Sequence, residues 1–148
     1  LGDVYKRQLQ LFAGYTYTKT EYLNDAGDGV GFSGAAYNSY TPRHMLRFWS
    51  DYTLPGELKQ WTVGGGASIQ SENYHSNFGG TDGVGDIEQA GYAIWNARLA
   101  YKINQNFSVS LNGNNLFDKK YYSTIGWLHA ANHYGDPRNY TVTLRADF

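Results

Sequence analysis

Four histidines, His44, His75, His129 and His133, are the residues best suited to hold a metal, and His129 and His133 stand four apart. On a helix that spacing puts two imidazoles on one face, as zinc sites use. Here the pair falls in a Gly-flanked, aromatic-rich stretch between strand patterns, with no third ligand nearby and no His-Glu-x-x-His run. A solvated loop is expected, and no metal is assigned. Asp25, Asp28, Asp82 and Asp86, set among glycines, lack the ligand spacing of an EF-hand and are read as acidic loops. Gly27-Asp-Gly29 and Gly64-Gly-Gly66 lack the Lys-Ser/Thr and the helix that a phosphate loop needs. No Ser, His and Asp spacing marks a hydrolase, and a triad cannot be read from order alone, so no catalytic residue is assigned. The better candidates are aromatics between the strand patterns: Tyr37, Tyr40, Tyr74, Phe78, Trp127, His129 and Tyr134. Aromatic faces with a few polar groups suit stacking against a rigid organic ligand. The competing role for each is packing within its own loop.

The elements that must carry these loops have a period of two. Leu9, Leu11, Ala13, Tyr15 and Tyr17 alternate with Gln10, Phe12, Gly14, Thr16 and Thr18. Such alternation predicts a strand with one apolar face. Further strands are predicted at about His44–Leu54, from near Trp61 to Gln70, and at about Gly91–Ile103, Phe107–Phe117 and Arg138–Phe148. In the last, Tyr140, Val142, Leu144, Ala146 and Phe148 share a face. Pro55-Gly56-Glu57 and Asn104-Gln-Asn106 read as tight turns. The other three connections, about 21–42, 71–90 and 118–137, are long and polar. Six strands joined by loops that alternate long and short have the asymmetry of a transmembrane barrel.

Composition agrees. The chain of 148 residues has 14 Tyr, 4 Trp, 7 Phe and 18 Gly, no Cys, and only 17% charged residues. Soluble domains carry about 25%. Mean hydropathy is negative, and no apolar run approaches the roughly 20 residues of a spanning helix. The net charge of −1 gives no case for nucleic acid. Aromatics near strand ends fit interfacial girdles, and Arg47, Asp51, Arg98, Lys102, Arg145 and Asp147 all fall on the polar face. Residues 1–8 show no alternation and no signal-peptide pattern, and are read as a tail foreign to the protein. Residues 9–148 are read as the barrel segment.

Two spaced runs carry a family resemblance. Leu111-Asn-Gly-Asn-Asn-Leu-Phe-Asp-Lys-Lys-Tyr-Tyr122 resembles the "N-x-x-N-L-F-D-K-x-Y" run before the last loop of TonB-dependent receptors, and Gly135-Asp-Pro-Arg-Asn-Tyr140 resembles the "G-x-P-R-x-x" run that opens their final strand. Thr41-Pro-Arg-His44, Tyr52-Thr-Leu-Pro-Gly56 and Val63-Gly-Gly-Gly-Ala67 add matches. The terminal Phe148 on an alternating strand is similar to the signal read by the barrel-assembly machinery. The form is nearest the siderophore branch, with receptors for ferric hydroxamates, coprogen or pyoverdine.

The resemblance implies the carboxy-terminal part of an all-β, antiparallel up-and-down barrel of 22 strands in the Gram-negative outer membrane. It implies import of a ferric siderophore, energised through the TonB–ExbB–ExbD complex by an amino-terminal region. Iron is then substrate and not cofactor. Partners are the siderophore, that complex, the assembly machinery and the lipid bilayer. Asn114, Asn115, Leu116, Phe117, Asp118, Tyr121, Pro137 and Arg138, on the motif positions, are expected to serve folding. Alternatives are a haem or vitamin B12 receptor, a small outer-membrane barrel of other function, and a soluble β-sandwich that binds carbohydrate.

Overall fold

The structure, a computed structural model, describes residues 8–23, 33–34, 36–75, 87–126 and 131–147. Six long strands of 8 to 11 residues form one antiparallel sheet: β1 (Leu9–Tyr17), β2 (His44–Thr53), β3 (Trp61–Gln70), β6 (Tyr92–Lys102), β7 (Phe107–Asn114) and β10 (Asn139–Ala146). Their order is β1-β2-β3-β6-β7-β10, an up-and-down meander with β1 and β10 at the edges. Strands of this length suit a tilted crossing of a bilayer core.

Register puts every alternating apolar set on the same face. One row reads Leu9, Tyr52, Val63, Leu99, Leu111 and Val142 across all six strands. The row beside it reads Leu11, Ser50, Gly65, Ala97, Gly113 and Tyr140. Gln10, Asp51, Gly64, Arg98, Asn112 and Thr141 form the corresponding row on the polar face. A slip of one residue in any strand would turn its apolar set to the polar side, so the pattern pins the register.

Among the described residues nothing covers the apolar face. Leu11 is 69% exposed and Val142 70%. Among the described residues only Ala67 (3%) and Ile125 (5%) are buried apolar side chains. An open apolar face on an up-and-down sheet is the pattern that the lipid-facing wall of a barrel has.

The short turns follow from their residues. Asn104 Oδ1 accepts the backbone N–H groups of Asn106 and Phe107, both at 2.9 Å, which folds the β6–β7 connection. Gly56 at φ 65 opens the single 3₁₀ turn Gly56–Leu58 between β2 and β3.

Two expectations need correction. The long connections predicted at about 71–90 and 118–137 carry strands of their own: β4 (Asn73–His75) pairs with β5 (Ile87–Gln89), and β8 (Tyr122–Thr124) with β9 (His133–Tyr134). The strand predicted to run through Phe117 stops at Asn114, because Asn115 (φ 48) and Asp118 (φ 50) turn into the left-handed region. The last strand ends at Ala146, and Phe148 lies outside the described residues.

Candidate functional site

The long connections all leave the same end of the sheet, and the aromatic candidates gather there. Tyr40 stacks on His75, with ring centroids 6.3 Å apart, and so joins the β1–β2 connection to β4. Tyr37 meets Tyr22 edge-on at 5.3 Å. Tyr134 stacks on Tyr122 at 4.7 Å with their hydroxyls 3.2 Å apart, and is 72% exposed. That hydrogen bond raises the Tyr122 pKa, because the neutral phenol makes it and would lose it on ionising. Tyr37, Tyr40, Tyr74 and Tyr134 are therefore exposed, in separate ring pairs or, for Tyr74, beside a cleft. Phe78, Trp127 and His129 lie outside the described residues, as do the four loop aspartates Asp25, Asp28, Asp82 and Asp86.

The cleft is a cavity of about 590 Å³ between the first two long connections, within the range of small-molecule sites. Thr18, Asn38, Ser39, Arg43, Glu72 and Tyr74 contribute to its wall. Of the aromatic candidates among the described residues only Tyr74 reaches it. Its hydroxyl, amide and charged lining had no motif to reveal it, only the Ser/Thr/Asn content beside two strand ends. His44 forms part of the rim; its Nδ1 lies 2.7 Å from the Tyr15 hydroxyl, and its ring lies 5.0 Å from that of Tyr17. Lys19 and Glu21, 2.7 Å apart on the same connection, hold each other charged: the hydrogen bond raises the Lys19 pKa and lowers that of Glu21. His133 lies in a strand and not on a helix. Among the described residues no three His, Cys, Asp or Glu gather as a metal site would need.

The motif residues meet at the mouth of the β7–β10 connection. Asn114 Nδ2 donates to Asn139 Oδ1 at 2.9 Å, across the β7–β10 pair. Asn115, buried, accepts the Lys119 N–H at its Oδ1 and donates from Nδ2 to the carbonyls of Lys119 and Asp136. Asp118 Oδ1 accepts the Arg138 N–H at 3.0 Å. Leu116 donates its backbone N–H to Trp95 O, and its side chain with the Tyr140 ring covers Gly113. Phe117 is 75% exposed. Tyr121 packs on Tyr92 with centroids 4.7 Å apart and lies so close to Gly135 that no Cβ fits there. Pro137 O accepts from Asn139 Nδ2. Tyr140, Val142 and Leu144 point out from the apolar face of β10, and Ala146 pairs with Phe107.

Comparison with known proteins bears on this arrangement. The family model described as "TonB dependent receptor-like, beta-barrel" matches residues 2–116. The ferric-pyoverdine M114 receptor PbuA of Pseudomonas sp. (strain M114) is 52% identical over 147 residues, covering 99% of this chain and 17% of the relative. The ferripyoverdine receptor of Pseudomonas aeruginosa is 33% identical, over 94% of this chain and 16% of its own length. Among solved structures, P. aeruginosa FpvA bound to heterologous pyoverdines superposes with a TM-score of 0.78 at 31% identity, covering 95% of this chain and 18% of that one. The ferric-catecholate import receptor Fiu of E. coli K12 superposes at 0.74 with 28% identity, over 97% and 19%. The chain thus spans about a sixth of the length of the curated relatives it matches.

Proposed function

The chain belongs to the TonB-dependent receptor β-barrel family, and from that premise we propose that it forms six adjacent wall strands of an outer-membrane receptor that imports a ferric siderophore of the pyoverdine type. Outer-membrane location follows the family. The observation that carries the substrate is the 52% identity to a ferric-pyoverdine receptor over 99% of the chain, long connections included.

On this reading the unpacked apolar face meets lipid and the polar face lines the barrel interior. The long connections lie outside the cell, and the two tight turns face the periplasm. The exposed rings of Tyr37, Tyr40, Tyr74 and Tyr134, with Phe78, Trp127 and His129 from the same connections, contribute to the surface that captures the chelate. Iron enters as part of the substrate. This chain makes or breaks no covalent bond; its work is binding and wall formation. The remaining strands of a 22-stranded barrel and the region that engages TonB–ExbB–ExbD would belong to the rest of the receptor. The strand face Tyr140–Ala146 with Phe148 would be read by the barrel-assembly machinery, and the motif from Asn114 to Tyr121 with Pro137 and Arg138 would serve folding.

The test is uptake of radiolabelled iron by cells stripped of their own siderophore receptors and supplied with the complete receptor. Ferric pyoverdine should be imported, and a proton uncoupler should abolish import. Import of a ferric catecholate with no import of ferric pyoverdine would overturn the substrate assignment.

A further inference from the structure

Two amide side chains tie the three long connections together. Asn73 begins β4 and is buried. Its Nδ2 donates to Tyr40 O, in the first connection, at 2.9 Å. Its Oδ1 accepts from Nε2 of Gln89, its direct partner across the β4–β5 pair, at 3.2 Å. Gln89 then reaches the third connection. Its Oε1 accepts the Tyr122 N–H at 2.6 Å, and its Nε2 lies 3.2 Å from Tyr122 O. The side chain thus pairs with Tyr122 as another strand's peptide group would. Alongside, the Tyr74 N–H donates to Ser39 O at 3.0 Å, a second tie between the first two connections.

The geometry points to Asn73 and Gln89 as positioning residues that hold Tyr40, Tyr74 and the Tyr122–Tyr134 pair as one preorganised surface for the chelate. This rests on the siderophore reading above. The Asn73–Tyr40 and Tyr74–Ser39 bonds join the second connection to the first, and the Gln89–Tyr122 bonds join it to the third, so no connection can shift against its neighbour without breaking one. A satisfied, part-buried amide network is stiff. A surface ordered before binding loses less conformational entropy when the ligand arrives, and that saving appears as affinity. The residues that order the surface need not touch the ligand. Gln89 sits two links from Tyr40, yet the chain of bonds makes its amide a determinant of where Tyr40 stands.

The experiment uses the complete receptor with Gln89→Leu, Asn73→Ala and Gln89→Glu, with barrel formation checked by heat-modifiable migration. Amide hydrogen exchange is followed in residues 36–41 and 121–124, and ferric pyoverdine is titrated as the probe. Gln89→Leu should speed exchange in both distant segments while strand amides hold, and weaken binding about tenfold. Asn73→Ala should free residues 36–41 and leave 121–124 protected. Gln89→Glu keeps the acceptor for the Tyr122 N–H and should restore protection at 121–124 in part. Exchange confined to β4 and β5 in all three variants, or unchanged affinity with loosened connections, would overturn the proposal. The exchange arm needs no ligand, so a receptor that ignores ferric pyoverdine would sink the substrate assignment and leave this test standing.

Discussion

The side-chain amide of Asn115 closes on the backbone of Lys119 in both directions, accepting its N–H at 2.8 Å and donating to its carbonyl at 2.9 Å. The same Nδ2 reaches Asp136 O at 3.0 Å, 21 residues on. One buried side chain therefore shapes the turn after β7 and fastens it to the segment that leads into β10.

Replacing Asn115 separates its two contributions. Glycine accepts the φ of 48 but loses the three side-chain bonds, and should cost about 1–3 kcal/mol of barrel stability. Alanine loses the same bonds and must also enter the left-handed region, for about 1–2 kcal/mol more. Urea unfolding of the detergent-solubilised receptor would measure both. Equal stability of the two variants would refute the backbone part.

Neighbouring glycines of β3 should differ sharply. A Cβ at Gly66 would overlap the carbonyl oxygen of Phe48 and the Trp49 side chain on the adjacent strand. At Gly65 the nearest atom, Asn96 O, is 3.7 Å away, an ordinary contact. Gly66→Ala should lower stability by roughly 2–3 kcal/mol, and Gly65→Ala by about 0.5 kcal/mol or less. Trp49→Ala should not rescue Gly66→Ala, since the Phe48 backbone still blocks the position.

Adjacent residues of β7 test which face meets lipid. Leu111 lies mid-strand in the apolar row between Leu99 and Val142. Leu111→Lys should cost roughly 2–4 kcal/mol. Ser110→Lys, on the polar face between Ala100 and Thr143, should be tolerated. Comparable losses in the two variants would contradict the assignment of faces.

Tyr121 should make the third connection sensitive to alkali. Burial raises its pKa above the ordinary 10.0, and the Asp136 carboxylate adds to the shift. The folded connection favours the neutral phenol, so the contribution is intact below the ordinary value and is lost as pH rises through the folded one. The phenolate absorbance difference between the parent and Tyr121→Phe should show one group titrating late, and Asp136→Asn should bring it part of the way back. A group titrating at the ordinary value would disprove the burial.

The wall was legible in the chain itself. Alternation from Leu9 to Tyr17, the Pro55-Gly-Glu57 turn and the Asn104-Gln-Asn106 turn predict strands that the structure places within a few residues. Phe117 is the clearest miss. It keeps the alternation, yet the left-handed Asn115 has already ended the strand, because a hydrogen-bonded side chain outweighs a periodic signal at a turn.

What the sequence determined is therefore the up-and-down sheet and its two faces, since period-two patterning is local and a lipid-facing wall demands it along every strand. Tertiary structure decided the rest: that Gln89 meets Tyr122, that Asn73 meets Tyr40, that Tyr121 fills the space a side chain at Gly135 would need. Those partners stand far apart in the chain. Single amides and a lone glycine carry no periodicity, and only the closing of the loops over the end of the sheet gives them their partners.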